Sequence, residues 1–354
     1  MQTNVGILGL GLFLPPTIRT NAWWSPAVVD RWMAARRAAP PPPAPATEGE
    51  ARVLAALATQ AIDPFQGTVE RRVMPDDMSI LDMEERAARE AIARAGIAPA
   101  EIDLVLTHTV VPDYWLGNPA CQLHERLGLP TQSFALHLDA AAYSSIMQLE
   151  LAELMIASGR ARHGLLVQAS APSRLVDHED PGAPIVGDGA TAMVVGPVAG
   201  GRGVLAAAHF TDGRFPRTLV ATVPGKRWFD DGRATIHVED PRQMRAVFMQ
   251  TADLCKRGVE AALAKLQLTA RDVDFFALHQ GTPWLREVVQ AHAGLEHARH
   301  VDVFHRIGYL SSALVPAQLY IALEEGALHE DDLVVLTGGG TGMTYGAMAL
   351  RWGR

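Results

Sequence analysis

The sequence predicts an α/β protein of two similar halves, with helices covering both faces of mostly buried sheets. Three observations carry this expectation. Its strands read as near-continuous apolar runs, LVLT at 104–107 and FFAL at 275–278, and strands without polar alternation need cover on both sides. Helical and strand patterns alternate along the chain, as layered α/β folds require. The pattern also repeats. Residues 83–109 read as an Ala-rich amphipathic helix, a Gly-containing turn and a short apolar strand, and residues 258–280 read the same way, with His108 and His279 in matching places.

A second pairing supports the duplication. GLLVQAS (164–170) leads to GDGATAMVVG (187–196), and DLVVLTGGG (332–340) leads to GMTYGAMALRW (342–352). A period of about half the chain indicates an internal duplication rather than a short solenoid repeat. The expected division is residues 1–200 and 201–354, with the proline-rich stretch AAPPPPAPATEGE at 38–50 as an exposed loop, because a proline run neither continues a helix nor joins a central strand.

Bulk composition sets the outer limits. A chain of 354 residues that is 48% hydrophobic and 20% charged can bury a large core. A net charge of -8, with basic residues gathered only in pairs such as Arg36-Arg37 and Arg71-Arg72, argues against nucleic acid or an anionic membrane as partner. Cys121 and Cys255 are the only cysteines, without metal-site spacing, so neither a disulfide framework nor a metal centre is expected, and a reducing cytoplasm is the expected setting. The opening MQTNVGILGLGLFLPP lacks a basic region and its apolar run is interrupted by glycines, so it reads as a buried first strand rather than a signal peptide.

The chemistry-bearing segment is FALHLDAAAYSSIMQLELAELMIASG (134–159), an apolar strand, a run of small residues and then a helix beginning near Ser145. Ser144 therefore falls at a helix N-terminus, where unpaired N–H groups and the helix dipole favour developing negative charge. Ser145 and Gln148 make an S-x-x-Q capping box. The expected division of labour is Ser145 capping and Ser144 free to face a cleft.

The small-residue run resembles the active-site turn of the ketoacyl-carrier-protein synthase III family, D-x-x-A-A-C-[AS]-G-F. Counting from Asp139, that family's nucleophilic cysteine is replaced here by Ser144. Further matches run in order through RTNAWW, GTVERR (67–72), NPACQLHERLG (118–128), VGDGATAMVVG (186–196), ALHQGTPWLR (277–286), GYLSSALVP (308–316) and GGGTGMTYG (338–346). The resemblance implies a duplicated thiolase fold, layered α-β-α-β-α with two mixed sheets, and expects a homodimer. It implies His279 as the family's histidine, with His108 and His305 as alternatives, and Tyr309 where the family has asparagine. It implies an oxyanion hole from the amide of Ser144 and one in the GGGT turn, at Thr341 or Gly340. Trp32 and Arg174 look similar to the pair that clasps the adenine end of coenzyme A, and Arg286 to a basic residue near the carrier-protein approach. Cys121 and Cys255 are read as small apolar residues, and the loop at 111–118 as a contributor to the acyl pocket.

No permanently bound cofactor is implied; the substrates would be acyl-CoA or acyl-phosphopantetheine on a carrier protein, with a small-molecule acceptor. A serine hydroxyl is a far weaker acid than a thiol and needs a base, which His279 would supply. An asparagine and a histidine together stabilise the enolate of malonyl decarboxylation, and a phenol at 309 is larger and projects further. The departures at 144 and 309 shift the expected function from carbon–carbon condensation to acyl transfer onto an alcohol, amine or carrier in specialised metabolism. The alternatives are starter condensation and a non-catalytic subunit of a thiolase-fold heterodimer.

Overall fold

The computed structural model describes residues 4–354; Met1–Thr3 of the expected first strand lie outside the described residues. Strands in chain order are β1 Val5–Phe13, β2 Thr17–Thr20, β3 Glu70–Val73, β4 Leu104–Val110, β5 Phe134–His137, β6 Gly164–Ser170, β7 Gly189–Pro197, β8 Gly203–Thr211, β9 Leu219–Thr222, β10 Thr235–Val238, β11 Phe275–Leu278, β12 Leu333–Gly340 and β13 Thr344–Arg351. The α-helices are α1 Pro26–Ala38, α2 Glu48–Gln60, α3 Ile80–Ala95, α4 Pro119–Leu127, α5 Ser144–Ala157, α6 Pro241–Ala264, α7 Leu285–His292, α8 Phe304–Ile307 and α9 Leu314–Glu324.

Two mixed sheets form the frame. One has the order β1-β7-β6-β4-β5 and the other β11-β12-β13-β8. Read from the antiparallel edge, β1/β7/β6/β4 and β8/β13/β12/β11 share one pattern: two antiparallel pairings and then a parallel one. The second sheet has no fifth strand, but Arg299 makes a parallel bridge to Phe275, where β5 pairs with β4 in the first sheet. This is the duplicated thiolase fold that the repeated motifs imply.

Burial explains the layering. Strands β4, β6, β7, β11 and β12 are buried almost along their length, because each sheet is covered twice. Helices α5 and α9 lie between the sheets, where Ile146, Leu149, Leu314 and Leu319 join one cluster with Leu106 and Leu166 of the first sheet and Phe275 and Leu336 of the second. Helices α3 and α4 cover the outer face of the first sheet, and α6, α7 and α2 that of the second. The result is α-β-α-β-α. Because the first turns of α5 lie between the sheets, its buried positions include Ser144, Ser145 and Gln148 as well as apolar residues, while Leu154 near its end is exposed. A segment that reads as amphipathic is therefore a central helix.

The proline-rich stretch is exposed as expected but shorter than expected. Thr47 accepts the amide of Glu50 and caps α2, so Glu48, Gly49 and Glu50 belong to that helix's first turn. Two charged residues from the recurring motifs serve the frame. Arg71 is fully buried, donating to the Pro184 and Arg19 carbonyls and to Asn21 Oδ1, and burial pushes its guanidinium down to about 10. Asp188 is fully buried and accepts from the amides of Met74 and Ser173 and the Ser173 hydroxyl. Among the described residues no helix is long and apolar enough to cross a membrane.

Candidate active site

The site is built where two matching turns meet between the sheets. In the first half, Ala141–Tyr143 forms a 3-10 turn that runs directly into α5; in the second, Ser311–Ala313 does the same into α9. Ala141 and Ser311 each enter their turn with φ at 51°, the left-handed region that side chains other than glycine avoid. Two non-glycine residues in the same strained place, 170 positions apart, are a structural trace of the duplication. The turn that leads into Ser144 is thus matched by the turn that follows Tyr309.

Ser144 is fully enclosed. Its Oγ donates to the Ala141 carbonyl at 2.6 Å and accepts from the Ala140 amide at 2.8 Å, so the hydroxyl closes its own turn rather than facing a cleft. Ser145 does not cap. The residue before α5 is Tyr143, with no side-chain cap, and Ser145 Oγ is buried without a partner. Gln148, the expected partner in the capping box, instead accepts from Gln168 Nε2 at 2.6 Å. The physical reason is that α5 starts at Ser144, so Ser145 already lies inside the first turn, where an N-cap side chain has no free amide to bind.

His279 follows β11 and its amide donates to the Thr337 carbonyl at 2.9 Å. Its Nε2 lies 3.0 Å from the Tyr309 hydroxyl, with the two rings edge to face at 5.4 Å. Burial pushes the imidazole down to about 4 and the phenol up to about 12, so both are neutral at neutral pH. The side chains of His279 and Tyr309 keep partial exposure while Ser144 has none. No hydrogen bond joins His279 to Ser144 among the described residues.

The glycines expected to form an oxyanion loop are the last three residues of β12, with Gly338, Gly339 and Gly340 paired to Gly346, Tyr345 and Thr344. They matter by close approach. A Cβ at 338 would collide with His279 Cβ, and one at 340 with the Ala140 carbonyl oxygen, so the end of this strand can touch both the histidine and the Ser144 turn only as glycine. Thr341 turns its side chain the other way, 2.7 Å from Thr218 Oγ1 and donating to the Leu219 carbonyl at 3.0 Å. Gly340 is therefore the residue of that pair that packs on the Ser144 turn.

The expected binding residues are differently placed. Trp32 is 5% exposed, with its indole N–H donated to the Glu179 carbonyl and its ring packed among Trp24 and Phe65, so it is not an open stacking platform. Among Trp23, Trp24 and Trp32 the exposed one is Trp23, with the Arg19 guanidinium 4.1 Å over its ring. Arg174 donates to Asp76 and to the Met74 and Pro75 carbonyls. Arg286 is mostly enclosed beside Gln290 and Asp302. Cys121 is exposed on α4, contrary to its reading as a buried apolar residue, whereas Cys255 is buried. His305 is exposed on α8, with its Nδ1 3.8 Å from Asp302 Oδ1. The 111–118 loop exposes Tyr114, Trp115 and Leu116, and Trp115 stacks on Trp228 at 5.8 Å. A cleft of about 400 Å³ lined by Pro43, Glu50, Arg242 and Met249 contains none of the reactive side chains. No cluster of metal-ligating side chains occurs among the described residues.

Sequence reasoning missed a relay behind the Ser144 turn. Tyr143 Oη lies 2.8 Å from His209 Nδ1, and His209 Nε2 contacts Glu150. Burial pushes the Tyr143 phenol well above its ordinary value. A tyrosine directly before Ser144 was the available signal, but its partner lies 66 residues away.

Two layered sheets around a paired-turn site define a thiolase-fold enzyme class, and comparison with known proteins narrows this. Residues 136–213 match the 3-oxoacyl-[acyl-carrier-protein] synthase III family, residues 263–352 its C-terminal family, and residues 56–169 the thiolase N-terminal domain. The chain is 34% identical over 289 residues to β-ketoacyl-[acyl-carrier-protein] synthase III of Geobacillus kaustophilus, covering 81% of this chain and 88% of that protein. It is 30% identical to the enzyme of the same name from Bacillus pumilus, covering 99% and 100%. The crystal structure of 3-oxoacyl-[acyl-carrier-protein] synthase III from Aquifex aeolicus superimposes with a TM-score of 0.79 at 25% identity, covering 98% of this chain and all of the other. The chain belongs to the ketoacyl-[acyl-carrier-protein] synthase III family.

His279 sets a pH dependence of stability. The unfolded chain binds its proton near the ordinary histidine value of 6.5, while the folded chain holds the ring neutral down to about 4. Stability contributed by this group is complete above pH 6.5 and is lost as pH falls towards 4, on the order of 2 to 3 kcal/mol. Urea unfolding of wild type and His279→Asn across pH 4–7 is expected to show the acid-side loss shrinking by that amount in the variant; equal losses would contradict the burial assignment.

Proposed function

We propose that this chain is an acyltransferase that takes an acyl group from a coenzyme A or carrier-protein thioester onto Ser144 and passes it to an alcohol, amine or carrier acceptor. The observation that carries the reading is the His279–Tyr309 pair at 3.0 Å. Family membership supports acyl thioester chemistry, and this pair bears on which kind. A neutral imidazole can accept the Ser144 proton once the hydroxyl leaves the Ala141 carbonyl, and apo contacts of this kind tighten on substrate binding. Oγ then attacks the thioester carbonyl, the C–S bond breaks, and the proton passes to the departing thiolate. Tyr309 stays protonated and can donate to the acyl oxygen.

Decarboxylative condensation asks more of the same two groups. An enolate oxygen is best held by two donors together. Here one of the two ring partners accepts from the other at rest, which leaves a single free donor. The serine ester is also a weaker acyl donor to carbon than a thioester. The second reading, starter condensation, draws support from the names of the full-length relatives, both β-ketoacyl synthases. We also infer a homodimer, supported by the exposed edge strand β5, which presents Phe134 and Leu136 outward, and a chain this size should sediment as two copies. A monomer at micromolar concentration would refute the dimer.

The acyl-enzyme is tested by incubating the protein with a panel of acyl-CoA and acyl-carrier thioesters, followed by peptide mass mapping. Acyl modification of the peptide bearing Ser144, absent in Ser144→Ala, is expected. No modification of that peptide with any donor would overturn the reading.

A further inference from the structure

The duplicated fold places a second reactive arrangement beside the first, and neither the family resemblance nor the proposed function uses it. His108 lies in the C-terminal part of β4 and His279 directly follows the matching strand β11, and Asp139 stands 170 residues before Tyr309. The pairing is the same in both halves: His279 meets Tyr309, and His108 Nε2 lies 3.3 Å from Asp139 Oδ1. In the first half a third group completes the chain. His108 Nδ1 lies 2.7 Å from Ser312 Oγ, contributed by the other half's turn.

We propose that Ser312, His108 and Asp139 form a second nucleophilic centre that accepts an acyl group from a thioester. The order of contacts is that of an activated serine: hydroxyl, imidazole, carboxylate. The carboxylate fixes the imidazole's working form. Its interaction with His108 and the amide of Ala141 holds Asp139 at about 2, so it remains an anion and accepts from Nε2–H, leaving Nδ1 bare to take the Ser312 proton. Here Nδ1 rather than Nε2 faces the serine. At rest Ser144 has no imidazole within hydrogen-bond distance, because its hydroxyl is held by the Ala141 carbonyl and the Ala140 amide. Ser312 stands just before α9, a helix of eleven residues whose N-terminal N–H groups favour a developing oxyanion.

The step balances within the named groups. Ser312 Oγ bonds to the acyl carbon as its proton moves to His108 Nδ1; the C–S bond breaks, and His108 returns that proton to the thiolate. The products are a Ser312 ester and a free thiol. Ser312 and His108 are 1% and 2% exposed, while the Asp139 side chain is open to solvent, so the acyl group reaches the centre between the two turns, as it must for the equally enclosed Ser144.

The inference rests on the acyl-thioester reading for its substrate class, but its test does not. A fluorophosphonate attacks base-activated serines without thioester recognition. Wild-type protein treated with fluorophosphonate and mapped by peptide mass spectrometry is expected to carry phosphonate on Ser312, retained in Ser144→Ala and reduced at least tenfold in His108→Gln. Label on Ser144 alone, no label on either serine, or Ser312 labelling indifferent to His108 would overturn the proposal. The wild-type map stands even if the His108 variant fails to fold, and thioester modification of Ser144 is read separately.

Discussion

Two helices, α5 and α9, must start inside the protein, between two sheets, and the meeting of their first turns is the constraint on which the rest depends. A buried helix start has amides that no solvent can satisfy. Both halves solve this with a 3-10 turn entered through a left-handed residue, Ala141 or Ser311, at a strain on the order of 1 kcal/mol or more. Remaining polar groups are held by side chains that reach over from neighbouring elements. Gln318 Oε1, for instance, accepts the amide of Leu278 at 2.9 Å, just ahead of His279. The reactive side chains occur here because backbone polarity, tight glycine contacts and the ends of β4 and β11 converge on one place.

Much of this was legible in the sequence. Apolar strands without alternation required two-sided cover, and the matching placement of His108 and His279 announced the duplication. Asp139, Ser144, His279 and Tyr309 were all picked out by motif spacing. What the sequence hid was direction. An S-x-x-Q box reads as a cap when a helix is assumed to start in ordinary fashion, but the preceding 3-10 turn leaves Ser145 without a role and Ser144 as its own turn's clasp. Trp32 reads as a recognition residue in DRWM; its burial is set by Trp24, Phe65 and the Glu179 carbonyl, and the last of these lies 147 residues away. Contacts over such separations have no local signature. The same holds for His108 and Ser312, 204 residues apart.

The electrostatics of the site lean towards neutral chemistry. Burial makes the His279 imidazolium and the Tyr309 phenolate both costly. A proton taken from Ser144 therefore creates an uncompensated cation, and acylation by this route should be slow relative to a thiolate. The neighbouring His108 has a carboxylate behind it, which stabilises the same cation. The two halves thus hold one topology with opposite electrostatic character: a neutral donor pair in one and a charge-backed base in the other.

In the proposed function, Tyr309, bonded to His279, turns this family member away from decarboxylative condensation. The most direct measurement is release of carbon dioxide from a malonyl thioester by wild type and by Tyr309→Asn, which restores the amide that the family resemblance places there. The account predicts a slow wild type and a variant faster on the order of tenfold or more, as regaining an oxyanion donor implies. A wild type that decarboxylates as fast as the variant would contradict it.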